Sequence, residues 1–572
     1  MLGLRLIARQ VFQTTSREAL LLLVVFLGFL WAHLVNHLRI EWTVNPQYGY
    51  GWAVPFLCAY LIWQSISKSE FKIQKSGPPN PRSQTPDAIC HPPSSSFIFL
   101  CVLLALLYAP TRLIEDATPE WRLVSWALAL DVVGLTLLLI YFVLGAQWLK
   151  RLAFPIAYFL VAVPWPTVIE GPLIQGLTRA DAGATCELLG WLGIPAMPHG
   201  NVIEVATGEV GIDEACSGIR SFQATLMISL FLGESYRLNF TRRLVLILGG
   251  FAMSFGFNLA RMSVLVWVAA HHGITAIAQW HDPTGITILL ACFCGLWGLG
   301  VWLRGSARVP RAKSGVAPDS FKTQTDSEEK SDERSFRRDA ENSTPEARSP
   351  QPIGARLSTF DLRPLSLALF GWILLTEISV EAWYRSHETQ LPLATQWTMA
   401  WPTNNPTFKT AFLPDRARQI LRYDESRSVA WATDGIEWQA VFLRWNPGRT
   451  ALHLAQNHTP EVCLTATGHT LTTVSDPAWF AAGGLRLPFI VYAVANTPRP
   501  VYVFYCLWDD RTSTQGRGTM SLTYGNRLAP VLAGLRNPGQ RSLEIAMTGV
   551  ADAGAAENAL RAELEKILTV KK

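Results

Sequence analysis

The sequence predicts an all-α polytopic membrane bundle of about eight spans plus a ninth, with a small outer-face β-hairpin, followed by a soluble mixed α/β domain. Three observations carry this reading. Apolar runs of helical length recur from residue 18 to residue 304. Charged residues make up only 16% of the 572-residue chain, against about 25% in an ordinary soluble domain. Beyond residue 382 the pattern changes to short β-branched and aromatic runs such as VYVFYCLW at 501–508.

A bilayer core of ~30 Å takes ~20 helical residues. Runs of that kind lie near 18–37, 49–66, 96–114, 123–146, 152–167, 218–234, 244–270 and 284–303, with a ninth near 361–380. The run 152–167 is short and holds Pro155, Pro164 and Pro166. Lys and Arg fall in alternate links: Arg5, Arg9 and Arg17; Lys68, Lys72, Lys75 and Arg82; Lys150 and Arg151; Arg237, Arg242 and Arg243; Arg304, Arg308, Arg311 and Lys313. These links are expected on the cytoplasmic side. The other links carry Glu41, Glu115, Asp116, Glu120 and Asp282 and are expected outside. The first run has no small-residue cleavage site and reads as an anchor.

Residues 305–358 are charged, Pro/Ser-rich and poor in aromatics, as in a disordered cytoplasmic linker. The expected division is therefore a membrane domain over 1–304, the linker over 305–358, the ninth span over 359–381 and a soluble outer domain over 382–572. In that last domain, WQAVFLRW at 438–445 and the 501–508 run read as strands. Leu560, Leu564, Ile567 and Leu568 recur at helical spacing and predict a closing amphipathic helix.

Composition excludes several function classes. The balance of 49 Lys+Arg against 44 Asp+Glu leaves +5, too small for the basic stripe of a nucleic-acid binder. The 49% hydrophobic content excludes disorder of the whole chain. None of the nine cysteines forms a CxxC pair, so no metal and no cofactor is expected.

The longest outer link, about 168–217, holds the candidate chemistry. Leu173, Leu177, Ala180, Ala184 and Leu188 recur every three or four residues, while Arg179, Asp181 and Glu187 face elsewhere. This predicts a helix lying along the outer interface. NVIEVATGEVGIDEACSGIRSF at 201–222 then alternates apolar and polar residues around Thr207-Gly208, as in a hairpin. Cys216 falls where the hairpin ends and the next helix starts. A helix N-terminus favours the thiolate, whereas Asp213 and Glu214 oppose it if they point at the sulfur. Arg220, Arg261 and His281 are candidate basic partners.

Arg261 is the most informative of these, because an Arg inside a span is costly and usually marks function or a buried partner. It sits ~14 Å from the outer end of its run, and the run measures roughly 40 Å, longer than the ~30 Å core. Tilt or protrusion then raises Arg261 towards the outer interface. Cys216, Arg261 and His281 would supply a thiol nucleophile, an oxyanion-stabilising cation and a general base. Structural roles remain open for each: an isolated Cys packs as a small hydrophobe, an Arg snorkels, and His281 sits in a loop. His271 and His272 rival His281.

At these residues the sequence resembles the exosortase/archaeosortase family, with EACSGIR at 214–220, NLAR at 258–261 and HDPTG at 281–285. The runs RLAFPIAYFLVAVPWP at 151–166 and YGYGWAVPFLCAYLIW at 48–63 are also similar to the family. The resemblance covers roughly 18–304. It implies Cys216 as nucleophile, Arg261 as transition-state cation and His281 as proton-transfer group. The implied partners are the lipid bilayer and membrane-anchored proteins ending in a short motif such as Pro-Glu-Pro, one membrane helix and basic residues. The implied reaction is cysteine transpeptidation, with hydrolysis as the variant. The C-terminal region is similar to the exopolysaccharide-associated companion domain of exosortases, through WQAVFLRW, HTPEVCL at 458–464 and YVFYCLW.

Rival readings have their own residues. His458 and Cys463 suggest a second thiol centre, and Cys463 with Cys506 a disulfide. A non-enzymatic scaffold or transporter for exopolysaccharide would leave Cys216 dispensable. A membrane glycosyltransferase would need outer carboxylates, for which Asp213 and Glu214 are the close pair in the main loop.

Overall fold

A computed structural model describes residues 17–75, 95–199, 202–211, 218–305, 363–390 and most of 396–571. Within that last stretch, 414–416, 419–420, 457–458, 462–463, 465–469, 496, 498 and 511–523 are left out. Cys216 and the expected linker 305–358 lie outside the described residues, apart from Gly305.

Every predicted apolar run carries a helix. These are α1 (Arg17–Val44), α2 (Val54–Lys75), α3 (Ser95–Ala117), α4 (Arg122–Leu144), α5 (Ala146–Ala157), α6 (Thr167–Trp191), α7 (Ile219–Ser235), α8 (Phe240–His272), α9 (Ile277–Gly305) and α10 (Arg363–Glu388). Six of them are long and apolar enough to cross a membrane: α1, α3, α4, α8, α9 and α10. The number is seven if a bent pair counts as one span. The chain is a multi-pass membrane protein. In the bent pair, α5 runs through a 3-10 turn at Tyr158–Ala162 and then turns by 69° into α6. Pro164 and Pro166 cause the break, since each lacks an N–H and disfavours the α region for the residue before it. At 17 residues, α7 spans ~26 Å, short of a full core.

The helix expected over 168–188 is α6. The buried side of α6 is Glu170, Thr178, Asp181, Ala182, Thr185 and Leu189, while Ala180 is exposed and Leu173, Leu177, Ala184 and Leu188 are only half-buried. Asp181, expected to face away, is 1% exposed. In a bilayer the polar side of a helix turns into the bundle and the apolar side meets lipid.

Glu170 ties one end of the bundle together. It accepts from Gln47 and Tyr48 in the turn after α1, and from Arg122 at the start of α4. Arg122 also meets Glu41 at the end of α1. Gln223 of α7 donates to the Tyr48 hydroxyl at 3.4 Å. The first turns of α4, α6 and α7 therefore share this end with the C-terminal turns of α1.

The C-terminal region, expected as a soluble domain, is built on a seven-stranded antiparallel sheet. In chain order its strands are β5 (Lys409–Ala411), β6 (Glu425–Thr433), β7 (Ile436–Trp445), β8 (Thr470–Ala482), β9 (Leu485–Ala495), β10 (Val501–Asp509) and β11 (Gln540–Thr548), arranged β5-β6-β7-β11-β10-β9-β8. Both predicted strands fall in its middle, as β7 and β10. The predicted closing helix is α13 (Ala553–Ile567), which follows α11 (Ala451–Gln456) and α12 (Tyr524–Leu532). Leu560, Leu564 and Ile567 of α13 pack with Trp431, Trp438, Phe442 and Phe504 into one core. The opposite face of the sheet carries α11, and Val44 at the end of α1 packs into that second core. The remaining strands are β1 (Ala196–His199), β2 (Val202–Val205) and β3 (Gly208–Gly211) in the membrane half, and β4 (Gln396–Met399) paired with β12 (Leu568–Lys571).

The domain docks on the end of the bundle that Glu170 ties together. Arg449, just before α11, reaches the fully buried Glu115 of α3, which also takes Arg112 at 2.6 Å and His37 at 2.8 Å. Arg536 contacts Glu381 at 2.6 Å, Glu388 at 2.9 Å and Asp116 at 3.2 Å. His453 faces Glu41 at 3.5 Å. Removing one partner of a buried ion pair costs about 3–5 kcal/mol, and the Arg112 and His37 contacts that Glu115 keeps place this seam at the low end. Arg449→Glu sets like charges face to face. We expect it to undock the domain, read as faster limited proteolysis of the solubilised full chain, with Arg449→Lys staying protected.

Candidate active site

The site is assembled at the antiparallel contact of α7 and α8. Small residues bring the two helices close: Ser254 donates to Ser221 at 3.0 Å, and Phe222 stacks on Phe251 at 3.8 Å. The α7 N-cap is Gly218, at φ +77°. A β-carbon there would stand 2.9 Å from Asn258 Nδ2. Gly218 is thus required twice, once by its left-handed backbone and once by close approach. Gly218→Ala is expected to cost about 1–2 kcal/mol from the backbone alone, and to push Asn258 aside. A lower melting temperature together with impaired processing is the expected result. Wild-type behaviour in both would show that the turn tolerates a side chain.

Asn258 donates from Nδ2 to Asp181 Oδ2 of α6 at 2.7 Å, and the two residues are 2% and 1% exposed. One turn further along α8, Arg261 is also buried. Its guanidinium rests against Gly285 of α9, with Nη2 3.5 Å from where a β-carbon would be. His281 occupies the α9 position one helical turn before Gly285. His281, expected in the link before the eighth run, lies in the early turns of α9, ahead of the apolar stretch that starts at Pro283. Pro283 removes one backbone donor near the helix start, and Thr284 and Thr287 add hydroxyl bonds to the carbonyls of Trp280 and Pro283.

The β2–β3 hairpin closes one side of this cluster. Val205 pairs with Gly208 around the turn, as the alternation predicts, and β1 adds a third strand. Thr207 donates to the carbonyl of Ala269 near the end of α8 at 2.8 Å. Ile203, Val205 and Val210 share a small core with Ala182 and Leu189 of α6 and Met262, Val266 and Ala269 of α8. The hairpin is thereby anchored over the helix that carries Arg261, and residue 216 follows six positions after residue 210.

The rival residues sit elsewhere. His271 and His272 are exposed at the end of α8, where His271 stacks on Trp267 at 4.6 Å and meets its carbonyl at 2.9 Å. His272 is three turns, ~16 Å, beyond Arg261. Cys506 is a free thiol, fully buried under β10, and burial pushes it well above its ordinary range. Such a thiol is inert. His458 and Cys463 lie outside the described residues, as do Asp213 and Glu214. Arg220 is on the exposed side of α7.

Among the described residues, no three His, Cys, Asp or Glu side chains group as metal ligands. A crevice lined by His37, Glu41, Glu120, Arg122, Arg449 and His453 follows the seam under the soluble domain and shares no residue with the Arg261 cluster. Sequence reasoning missed Asp181 as a buried partner and Gly285 as the seat of Arg261. A carboxylate among the threonines of α6, together with the Gly that closes HDPTG, was the available signal.

Residues 42–298 match the family described as transmembrane exosortase (Exosortase_EpsH). No curated protein and no solved structure matches the chain.

Proposed function

The chain belongs, through residues 42–298, to the transmembrane exosortase family, and from this we propose that it is a cysteine protease/transpeptidase that cleaves C-terminal sorting signals of exported proteins. One observation supports the assignment of roles best. Arg261 is buried against Gly285, one turn from His281, while Asn258 on the preceding turn of α8 abuts Gly218. Two peptide units cannot carry Cys216 more than ~7 Å from Gly218. This supports reading the three residues as parts of one site.

In this reading the Cys216 thiolate attacks a backbone carbonyl of the sorting signal. Arg261 stabilises the oxyanion that forms on the carbonyl oxygen. Collapse breaks the C–N bond, and His281 delivers a proton to the departing amine. An acceptor amine then attacks the thioester and releases Cys216, or water does so in hydrolysis. The basic links place α1's start, the α7–α8 link and residues 305–358 in the cytoplasm, so that the site and the soluble domain share the outer face of the plasma membrane. We read α2 and α7 as further spans, and the boundaries 1–304, 305–358, 359–381 and 382–572 as the domain division. The soluble domain is read as the exopolysaccharide-associated companion, which links the activity to surface-protein or polysaccharide export.

The test is a membrane-anchored reporter ending in Pro-Glu-Pro, one apolar helix and an Arg cluster, co-expressed with the chain. Cleavage that depends on Cys216 supports the reading. An intact reporter beside the wild-type chain, tested over a panel of such motifs, overturns it.

A further inference from the structure

Asp181 is the buried group that the proposed mechanism leaves unused. It is 1% exposed, yet only one of its carboxylate oxygens is hydrogen-bonded, to Asn258 Nδ2. Oδ1 has no partner among the described residues, nor has the hydroxyl of Thr185 one turn along, itself 0% exposed. A carboxylate held this way is costly, and α6 has no packing need for it, since Ala182 and Leu189 supply the apolar contacts to α8. What Asp181 does hold is an amide that touches both halves of the site. Asn258 Nδ2 is the atom that a side chain at Gly218 would strike. Asn258 is also one turn before Arg261, on the same buried side of α8.

We propose that Asp181 is a positioning residue: by clamping Asn258 against Gly218 it fixes the N-cap of α7 and the rotation of α8 that seats Arg261 on Gly285. The proposal rests on the exosortase reading of Cys216 and Arg261 and adds a third element, α6, to their geometry.

The experiment uses the full chain in detergent and two readouts. One is kcat and KM on the reporter; the other is the alkylation rate of Cys216 by iodoacetamide across pH. Asp181→Ala is expected to lower kcat by about 10- to 100-fold with KM little changed, and to alter the pH profile of Cys216 alkylation. Asp181→Asn keeps an acceptor oxygen for Asn258 and should retain most of kcat. Asn258→Asp sets two carboxylates together and should fail, while Asp181→Asn with Asn258→Asp rebuilds the bond in reverse and should recover activity. Thr185→Val, a comparable buried polar loss without the clamp, should leave both readouts unchanged. Wild-type kcat and alkylation in folded Asp181→Ala, or failure of the reversed pair to recover while Thr185→Val falls equally, would overturn the proposal. If the wild-type chain leaves the reporter intact, the exosortase reading fails, and the alkylation profiles alone still decide the clamp.

Discussion

Cys216→Ala is expected to leave the reporter uncleaved and full-length in the membrane. This is the largest effect, because the substitution removes the only atom that forms a covalent bond with substrate in the proposed reaction. Cys216→Ser should be nearly as inactive, since a hydroxyl is far harder to ionise than a thiol and His281 is a weak base for it. Immunoblotting of the reporter reads both variants. Cys506→Ala is the contrasting case. That thiol lies in the core of the soluble domain, shielded by the sheet, with burial holding it protonated. Its loss should leave processing intact, and so should loss of Cys463 and of the in-span Cys58, Cys101, Cys292 and Cys294. His281→Ala should fail with Cys216→Ala, whereas His271→Ala and His272→Ala should be milder, as both are exposed beyond the cluster. Wild-type cleavage by Cys216→Ala would end the thiol mechanism. Loss confined to Cys463→Ala would move the chemistry to the soluble domain.

The membrane half was legible where hydropathy alone decides. Apolar runs located α1, α3, α4, α8, α9 and α10 to within several residues, and the alternation around Thr207-Gly208 located the hairpin. An amphipathic stripe locates α6 but does not say what its other side meets: the bundle takes Thr178, Asp181 and Thr185 inside. His281 and Asp282 of HDPTG fall ahead of the apolar stretch, as the run near 284–303 implies, yet they are already helical. A helix tolerates HDPTG early, where threonine hydroxyls bond the backbone carbonyls around Pro283.

The docking of the soluble domain was not legible at all. Arg449 and Glu115 are 334 residues apart in sequence, and nothing local distinguishes them from surface charges. Glu115 and Asp116 were read only as marks of an outer link, yet they are the residues on which the domain sits. Of the site itself, Arg261 announced its own importance through the cost of an Arg in an apolar run. Its seat on Gly285 and the clamp through Asn258 arise from three helices distant in sequence, and no periodicity reports them.

Arg261→Lys should keep the chain folded and lose most of its activity. The substitution retains a positive charge in a buried position, so the bundle is spared the larger penalty of an uncompensated loss that Arg261→Ala would bring. What changes is shape. The guanidinium presents a planar fork and lies flat against the bare backbone of Gly285, with Nη2 at ordinary contact distance from the missing side chain. A lysine ammonium is a compact, strongly hydrated point charge on a flexible stem, with no fork to offer. If Arg261 donates to the oxyanion, losing that geometry removes an interaction made only in the transition state. Such a loss typically costs about 3 kcal/mol, or roughly 100-fold in rate. It should appear in kcat and kcat/KM together, with KM nearly unchanged. Expression level and melting temperature of the purified variant separate this from misfolding. Nearly full activity in a well-folded Arg261→Lys would reduce the residue to a structural cation that any ammonium replaces. Oxyanion stabilisation would then have to come from backbone N–H groups at the start of α7, the other positive element beside Gly218.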